Sequence, residues 1–200
     1  MKPSDYVRQV LNGQNEVQHS SHGDAGMVTS SDQTDDGIQI RMAGRPQQNE
    51  DGVHQLCVRL ALAVSLRDGG DWRADDHPPH GPETGTDWSL RTAQGGEWGV
   101  QVTRVGKTQR WETLANGRHV LELLSTSEAA AEIWDAIERK LRTKGGILAL
   151  SVGQPGAHAF AGVIDEFRRA YGALVRASVR YSQVWLVGYT LETTVRLHPE

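Results

Sequence analysis

Strand and helix patterns alternate along most of this 200-residue chain, and that alternation limits its fold more than any other feature. The apolar runs ILALSV (147–152) and QVWLVGY (183–189) are typical of buried strands, whereas apolar residues recur at helical spacing across 160–171. The full order is strand, helix, several strands, helix, strand, helix and strands. It favours an α/β domain with a mixed β-sheet flanked by helices on both faces.

Turn and capping residues predict where other elements begin and end. Residues 38–42 alternate like a short strand, and residues 48–66 have the apolar spacing of a helix. Ser125 and Glu128 form a capping-box pattern at the start of a later helix. Asn116-Gly117 separates RWETL from RHVLELL and predicts a β-hairpin at that point.

The first part of the chain has a different composition from the rest. Residues 14–36 contain almost no apolar side chains and show no regular period, so they cannot bury enough surface to offset the entropy of ordering. We therefore expect a flexible polar leader over residues 1–36 and a single α/β domain over residues 37–200.

Bulk composition narrows the partners and the compartment. Cys57 is the only cysteine, which excludes an intrachain disulfide and a cysteine zinc cluster. No apolar run is long enough to cross a bilayer, and the first residues lack a secretory signal, so we expect a cytoplasmic protein without a membrane partner. The net charge of −4 argues against a general nucleic-acid coat but allows a local basic groove.

The stretch GTDWSLRTAQGGEWGVQVTRV (85–105) holds the candidate functional residues. Asp87 stands near the start of one predicted strand, and Gln101 lies inside the next strand, on the same face as Thr103. Magnesium prefers hard oxygen ligands such as carboxylates. Asp87, the amide oxygen of Gln101 and Glu50 from the preceding helix are therefore candidate ligands for Mg²⁺.

This order of residues resembles Mrr-type restriction endonucleases of the PD-(D/E)XK superfamily. The resemblance rests on Glu50 in a first helix, Gly85-Thr86-Asp87 at one strand and VQVTR on the next, within residues 49–104. It implies a restriction-endonuclease-like fold and Mg²⁺-dependent hydrolysis of DNA. By position, Asp87 would be the metal-binding aspartate, Gln101 the amide ligand and Glu50 the first-helix carboxylate.

Thr103 departs from the family pattern. In the variant of this family with glutamine in the last motif, the strand reads Gln-x-Lys, and the lysine polarises the attacking water or the scissile phosphate. Thr103 occupies the lysine position and carries no charge. Either another cation, such as Arg91, Lys107 or Lys140, replaces the lysine, or the site is inactive.

Simpler interpretations exist for each candidate. Asp87 is also a good turn residue at a strand entry, Gln101 would suit a solvated edge strand, and Glu50 favours a helix N-terminus through the helix dipole. His77 and His80 in DDHPPH could alternatively hold zinc, although nothing else in the chain has structural zinc spacing.

Two functions therefore remain open. The first is a DNA endonuclease domain. The second is a catalytically inactive relative that binds nucleic acid, a protein partner or a second copy of the chain. A basic patch beside Asp87 would favour nucleic acid, and an exposed apolar face near Trp134 or Trp185 would favour a protein partner.

Overall fold

The computed structural model describes the greater part of the chain, namely residues 18–20, 27–34, 36–43, 50–78, 86–143, 145–152 and 157–199. Within these residues the helices are α1 (Glu50–Asp68), α2 (Thr108–Ala115), α3 (Thr126–Glu138) and α4 (Ala161–Ser178), with a short 3₁₀ helix at Ala157–Ala159. The strands are β1 (Gln18–Ser20), β2 (Met27–Thr34), β3 (Gly37–Ala43), β4 (Trp72–Ala74), β5 (Trp88–Thr92), β6 (Glu97–Arg104), β7 (Val120–Leu124), β8 (Gly145–Ser151), β9 (Tyr181–Val187) and β10 (Val195–His198).

A six-stranded mixed sheet in the order β10-β9-β8-β6-β5-β4 forms the centre of the molecule. Strands β4, β5 and β6 are antiparallel, whereas β6, β8 and β9 run parallel. The parallel strands are joined through α3 and α4, as parallel connections require. The predicted α/β class with a mixed sheet and flanking helices is confirmed.

Each face of this sheet packs against its own apolar core. On one face, α1 contacts β4, β5 and β9, so that the sheet curls around this helix and buries Leu60, Trp88 and Val100. On the other face, α3 and α4 bury Ile133 and Phe167 against the sheet.

A second sheet, in the order β1-β2-β3-β7, lies on the α3 side of the molecule. Ile38 and Ile40 of β3 are buried in the same core as α3, and Ile38–Met42 pair with β7. Strand β2 lies in the segment for which we expected a flexible leader, and it pairs with β3 from Val28 to Thr34. The expectation of a flexible leader therefore does not hold for this strand, because backbone hydrogen bonds to β3 place it in the second sheet.

The Ser125–Glu128 capping box is confirmed, but the hairpin predicted at Asn116-Gly117 is wrong. RWETL belongs to α2, and Gly117 ends that helix with a positive φ of +72°. The amide of Gly117 donates to the Leu114 carbonyl, and the amide of Arg118 donates to the Thr113 carbonyl. Asparagine and glycine serve equally well as a helix C-terminus and as a hairpin turn, which explains the error.

No helix among the described residues is long and apolar enough to span a membrane.

Candidate functional site

Asp87 and Gln101 face each other on neighbouring strands. Trp88 pairs with Val100 in the antiparallel ladder, so Asp87, one residue earlier, comes opposite Gln101. The backbone amide of Asp87 donates to the Val100 carbonyl at 2.8 Å. One carboxylate oxygen of Asp87 accepts the amide hydrogen of Val102 at 2.7 Å. Asp87 lies directly before β5, and its side chain accepts a hydrogen bond from the backbone of β6. This is the behaviour of a residue at the entry of a strand.

Gln101 lies inside the sheet, because β6 is flanked by β5 and β8. The solvated edge-strand interpretation of this residue is therefore wrong. The half-buried amide oxygen of Gln101 accepts a hydrogen bond from the hydroxyl of Tyr181, the first residue of β9. The side chain of Thr143 is in turn hydrogen-bonded to Tyr181.

The burial of Tyr181, the hydroxyl of Thr143 and the charge of Asp87 together determine the direction in which the pKa of Tyr181 shifts. Burial raises the pKa of Tyr181, and the negative charge of Asp87 raises it further, whereas the hydrogen bond with Thr143 lowers it. Tyr181 is therefore a neutral hydroxyl donor to Gln101 over the ordinary pH range. The cluster formed by Asp87, Gln101, Thr143 and Tyr181 is called the strand site below.

Helix α1 lies across the opposite face of the sheet from Gln101. Val100 and Val102 pack on the α1 side, so the alternation along β6 directs Gln101 and Thr103 to the other side. Glu50 is the first residue of α1, and its side chain falls outside the described part of the structure. The structure therefore brings Asp87 and Gln101 together.

The negative charge of Asp87 also acts on the α1 side of the sheet. Burial raises the pKa of the Cys57 thiol to about 12, and the charge of Asp87 adds to this rise while Arg59 opposes it. Cys57 is fully buried in the α1 core. His54, one turn after Glu50, stacks on Trp88 with ring centroids 5.4 Å apart. Both residues therefore have structural contacts that explain their types.

The cations considered for the missing lysine lie in different surroundings. Arg91 pairs with Asp75 at 3.2 Å and with Glu97 at 3.4 Å, at the other end of β5, so it is committed elsewhere. Lys107 is exposed at the start of α2, and Lys140 is half-buried just after α3. Thr103 itself is half-buried in register with Leu150 of β8.

Metal-binding groups do not gather in the described part of the chain: it contains no set of three or more histidine, cysteine, aspartate or glutamate residues placed to share an ion. His80 of the alternative zinc loop lies outside the described residues. Asp75 of that loop pairs with Arg91, as noted above. Asp87 and Gln101 would offer Mg²⁺ one exposed carboxylate and one amide oxygen, and that amide oxygen already accepts a hydrogen bond from Tyr181.

A second polar cluster, which sequence reasoning missed, lies buried under the small sheet. Arg110 of α2, Glu132 of α3 and His158 of the 3₁₀ helix are 4%, 4% and 3% exposed. Glu132 accepts hydrogen bonds from Nη1 and Nη2 of Arg110 and contacts Nε2 of His158 at 2.8 Å. Glu122 of β7 accepts from Nε of Arg110 at 2.9 Å. These four residues are called the buried network.

Burial alone would raise the pKa of Glu132, but hydrogen bonds and charge from His158 and Arg110 lower it to about 2. Gly106 makes room for the network: its φ is +106°, and a Cβ at this position would lie 2.7 Å from Nη1 of Arg110. The sequence held one signal for this cluster. Glu132 falls on the apolar stripe of α3, between Ala129 and Ala136, where a lone carboxylate needs partners.

Comparison of this chain with protein-family models, with curated proteins and with solved structures finds no match.

Proposed function

We propose that this chain is a nuclease-fold domain that binds nucleic acid and no longer cleaves it. The relationship to Mrr-type PD-(D/E)XK endonucleases rests on the sequence order Glu50, Asp87 and Gln101. It is supported by the facing positions of Asp87 and Gln101 on adjacent antiparallel strands inside one mixed sheet. A helix that packs across that sheet before these strands is also what the resemblance implies.

The loss of cleavage rests on how the candidate ligands are used. One oxygen of Asp87 holds the Val102 amide, and the amide oxygen of Gln101 holds the Tyr181 hydroxyl. A metal ion that used the amide oxygen of Gln101 would compete with the Tyr181 hydroxyl, and Asp87 would have one carboxylate oxygen left for it. Thr103 adds no positive charge to polarise a phosphate. These groups therefore stabilise the junction of β5, β6 and β9 instead of forming a hydrolytic centre.

Nucleic acid is the favoured partner because positive side chains lie beside the strand site. Thr143 closes a turn that contains Arg139, Lys140 and Arg142, and its side chain contacts Tyr181. The alternative is a protein partner. Trp185 is buried and Trp134 stacks on Tyr171, so neither presents an open apolar face.

Exposed apolar residues do occur on α1, where Val58, Leu62 and Leu66 share the outer surface of the helix. Three such residues form a small patch compared with a stable protein interface. They are the surface to examine if nucleic acid does not bind.

An active endonuclease is the second candidate function, and one observation favours it. Asp87 is exposed, and Val102 uses only one of its two carboxylate oxygens. The other oxygen would still be accessible to a metal that arrives with its substrate. In that case Asp87, Gln101 and Glu50 would hold Mg²⁺, which would activate the water for phosphodiester hydrolysis.

The test combines calorimetry and cleavage on the full chain. We expect no heat of binding for Mg²⁺ or Mn²⁺ and no cutting of supercoiled plasmid, together with measurable DNA binding by fluorescence anisotropy. Metal-dependent cutting that Asp87→Ala abolishes, and that the exposed control Asp76→Ala preserves, would establish the active endonuclease instead.

The double variant Thr103→Lys with Tyr181→Phe sharpens the test. It restores a positive charge on the face of Gln101 and releases the amide oxygen from its hydroxyl partner. If the domain descends from a nuclease, this variant should gain weak Mn²⁺-dependent nicking of supercoiled plasmid that the parent chain lacks. Absence of nicking at every Mn²⁺ concentration would argue against the proposed ancestry of the site.

A further inference from the structure

Positive side chains concentrate where α3 ends and β6 ends. The patch consists of Arg104 at the end of β6 and of Arg139, Lys140 and Arg142 in the turn after α3; it is called the basic patch. The turn is ordered by hydrogen bonds from the amide of Lys140 to the Ile137 carbonyl and from the amide of Thr143 to the Lys140 carbonyl. The guanidinium of Arg139 donates to the backbone carbonyl of Arg104 at 2.7 Å, which joins the two segments.

The cations of this patch are not paired with carboxylates in the described part of the chain. None of its members forms an ion pair with a carboxylate among the described residues. Arginines elsewhere behave differently: Arg73 pairs with Asp71 at 2.7 Å, and Arg169 pairs with Glu166 at 2.6 Å. The chain has a net charge of −4, so a group of cations without paired carboxylates makes the local charge opposite in sign to that of the whole chain.

Arg104 is the most informative member because it is partly desolvated. Its guanidinium lies over the ring of Trp111, 5.0 Å from the centroid, and the residue is half-buried. Burial lowers the pKa of Arg104, with no opposing charge from a carboxylate. A cation that has lost part of its water and has no anionic partner gains more from binding an anion than a fully solvated one does.

The basic patch also borders the strand site. Thr143, the residue after Arg142, is hydrogen-bonded to Tyr181, which donates to Gln101. A chain of phosphates that contacts Arg142 would therefore pass beside Tyr181 and Gln101.

We infer that the basic patch binds the phosphodiester backbone of DNA and is the main contact surface of the proposed nucleic-acid-binding domain. This inference rests on the proposed function and names the surface that performs it. Arg139 and Arg142 are exposed, so they meet phosphates directly, while Arg104 provides a fixed guanidinium held by Trp111. Contacts of this kind are electrostatic and independent of base sequence.

The experiment measures binding of fluorescein-labelled single-stranded and duplex oligonucleotides to the full chain over a range of salt concentrations. The double variant Arg139→Ala with Arg142→Ala should weaken binding by about tenfold or more, and it should reduce the slope of log K against log salt by about 2. The matched control is Arg67→Ala with Arg118→Ala, which removes two exposed arginines from other surfaces. This control should leave the slope unchanged.

The outcomes separate the inference from the proposed function. If DNA binds and the patch variant behaves like the control, the inference is wrong while nucleic-acid binding stands. If DNA does not bind to the parent chain in either form, both are wrong. Arg104→Lys provides a further check, because it keeps the charge but loses the planar contact with Trp111; affinity should fall less than in the double variant.

Discussion

The strand site and the buried network are both polar clusters between strands and helices, yet their surroundings differ. Asp87 is exposed and Gln101 is half-buried, whereas Arg110, Glu132 and His158 are all shielded from solvent. The strand site joins the start of β5, β6 and the start of β9 within one sheet. The buried network joins β7, α2, α3 and the 3₁₀ helix, and thereby ties the small sheet to the rest of the molecule.

Because of this difference, we expect the buried network to stabilise the fold and the strand site to keep a group that can bind a ligand. In the buried network, Glu132 has a charged or polar partner on each oxygen, so removing any member leaves others unpaired in the interior. In the strand site, Asp87 keeps one oxygen toward solvent. Variants of the two clusters should therefore differ in what they change: stability for the first, and ligand binding for the second.

The largest effect is expected for Glu132→Gln. This change keeps the size of the side chain but removes the negative charge that faces Arg110 and His158. It should lower the free energy of unfolding by about 3–5 kcal/mol, measured by urea denaturation. Glu138→Gln, at an exposed position of the same helix, is the matched control and should be nearly neutral. A loss below about 1 kcal/mol would remove the distinction between the two clusters.

The contribution of the Glu132 carboxylate to stability should depend on pH. Its pKa in the folded protein is about 2, below the ordinary value of 4.5, so ionised Glu132 stabilises the fold above pH 4.5. That contribution should be lost as the pH falls from 4.5 toward 2, and it amounts to about 3 kcal/mol. The check is the difference in unfolding free energy between the parent chain and Glu132→Gln, which should shrink over this window. A difference that stays constant with pH would assign the stabilisation to packing alone.

The sequence predicted the architecture better than it predicted the contacts. Helical spacing and apolar runs gave α1, α3, α4, β8 and β9, because burial of an apolar face is encoded locally. The position of Gln101 opposite Asp87 could be expected from strand order. Its hydrogen bond to Tyr181 could not, because it depends on β9, 80 residues away, being placed beside β8. His158 and Glu132 are likewise brought together only by the packing of α3 on the 3₁₀ helix.

The smallest expected effect concerns Tyr181→Phe, which tests the strand site without breaking the fold. The variant removes the hydroxyl group that donates a hydrogen bond to Gln101 but keeps the buried ring. Stability should fall by only about 1–2 kcal/mol, since the hydrogen bonds of the hydroxyl with the half-buried amide of Gln101 and with Thr143 are lost. Tyr171→Phe is the control, because the Tyr171 ring stacks on Trp134 and its hydroxyl has no hydrogen-bond partner among the described residues. Denaturation curves for both variants, with Mn²⁺ titrations in parallel, provide the measurement.

If the tyrosine only stabilises the sheet, Tyr181→Phe will lose stability and bind no metal. If its hydroxyl blocks the amide oxygen of Gln101, affinity for Mn²⁺ will rise in Tyr181→Phe alone. A loss as large as that of Glu132→Gln would mean that the strand site, too, is primarily a structural cluster.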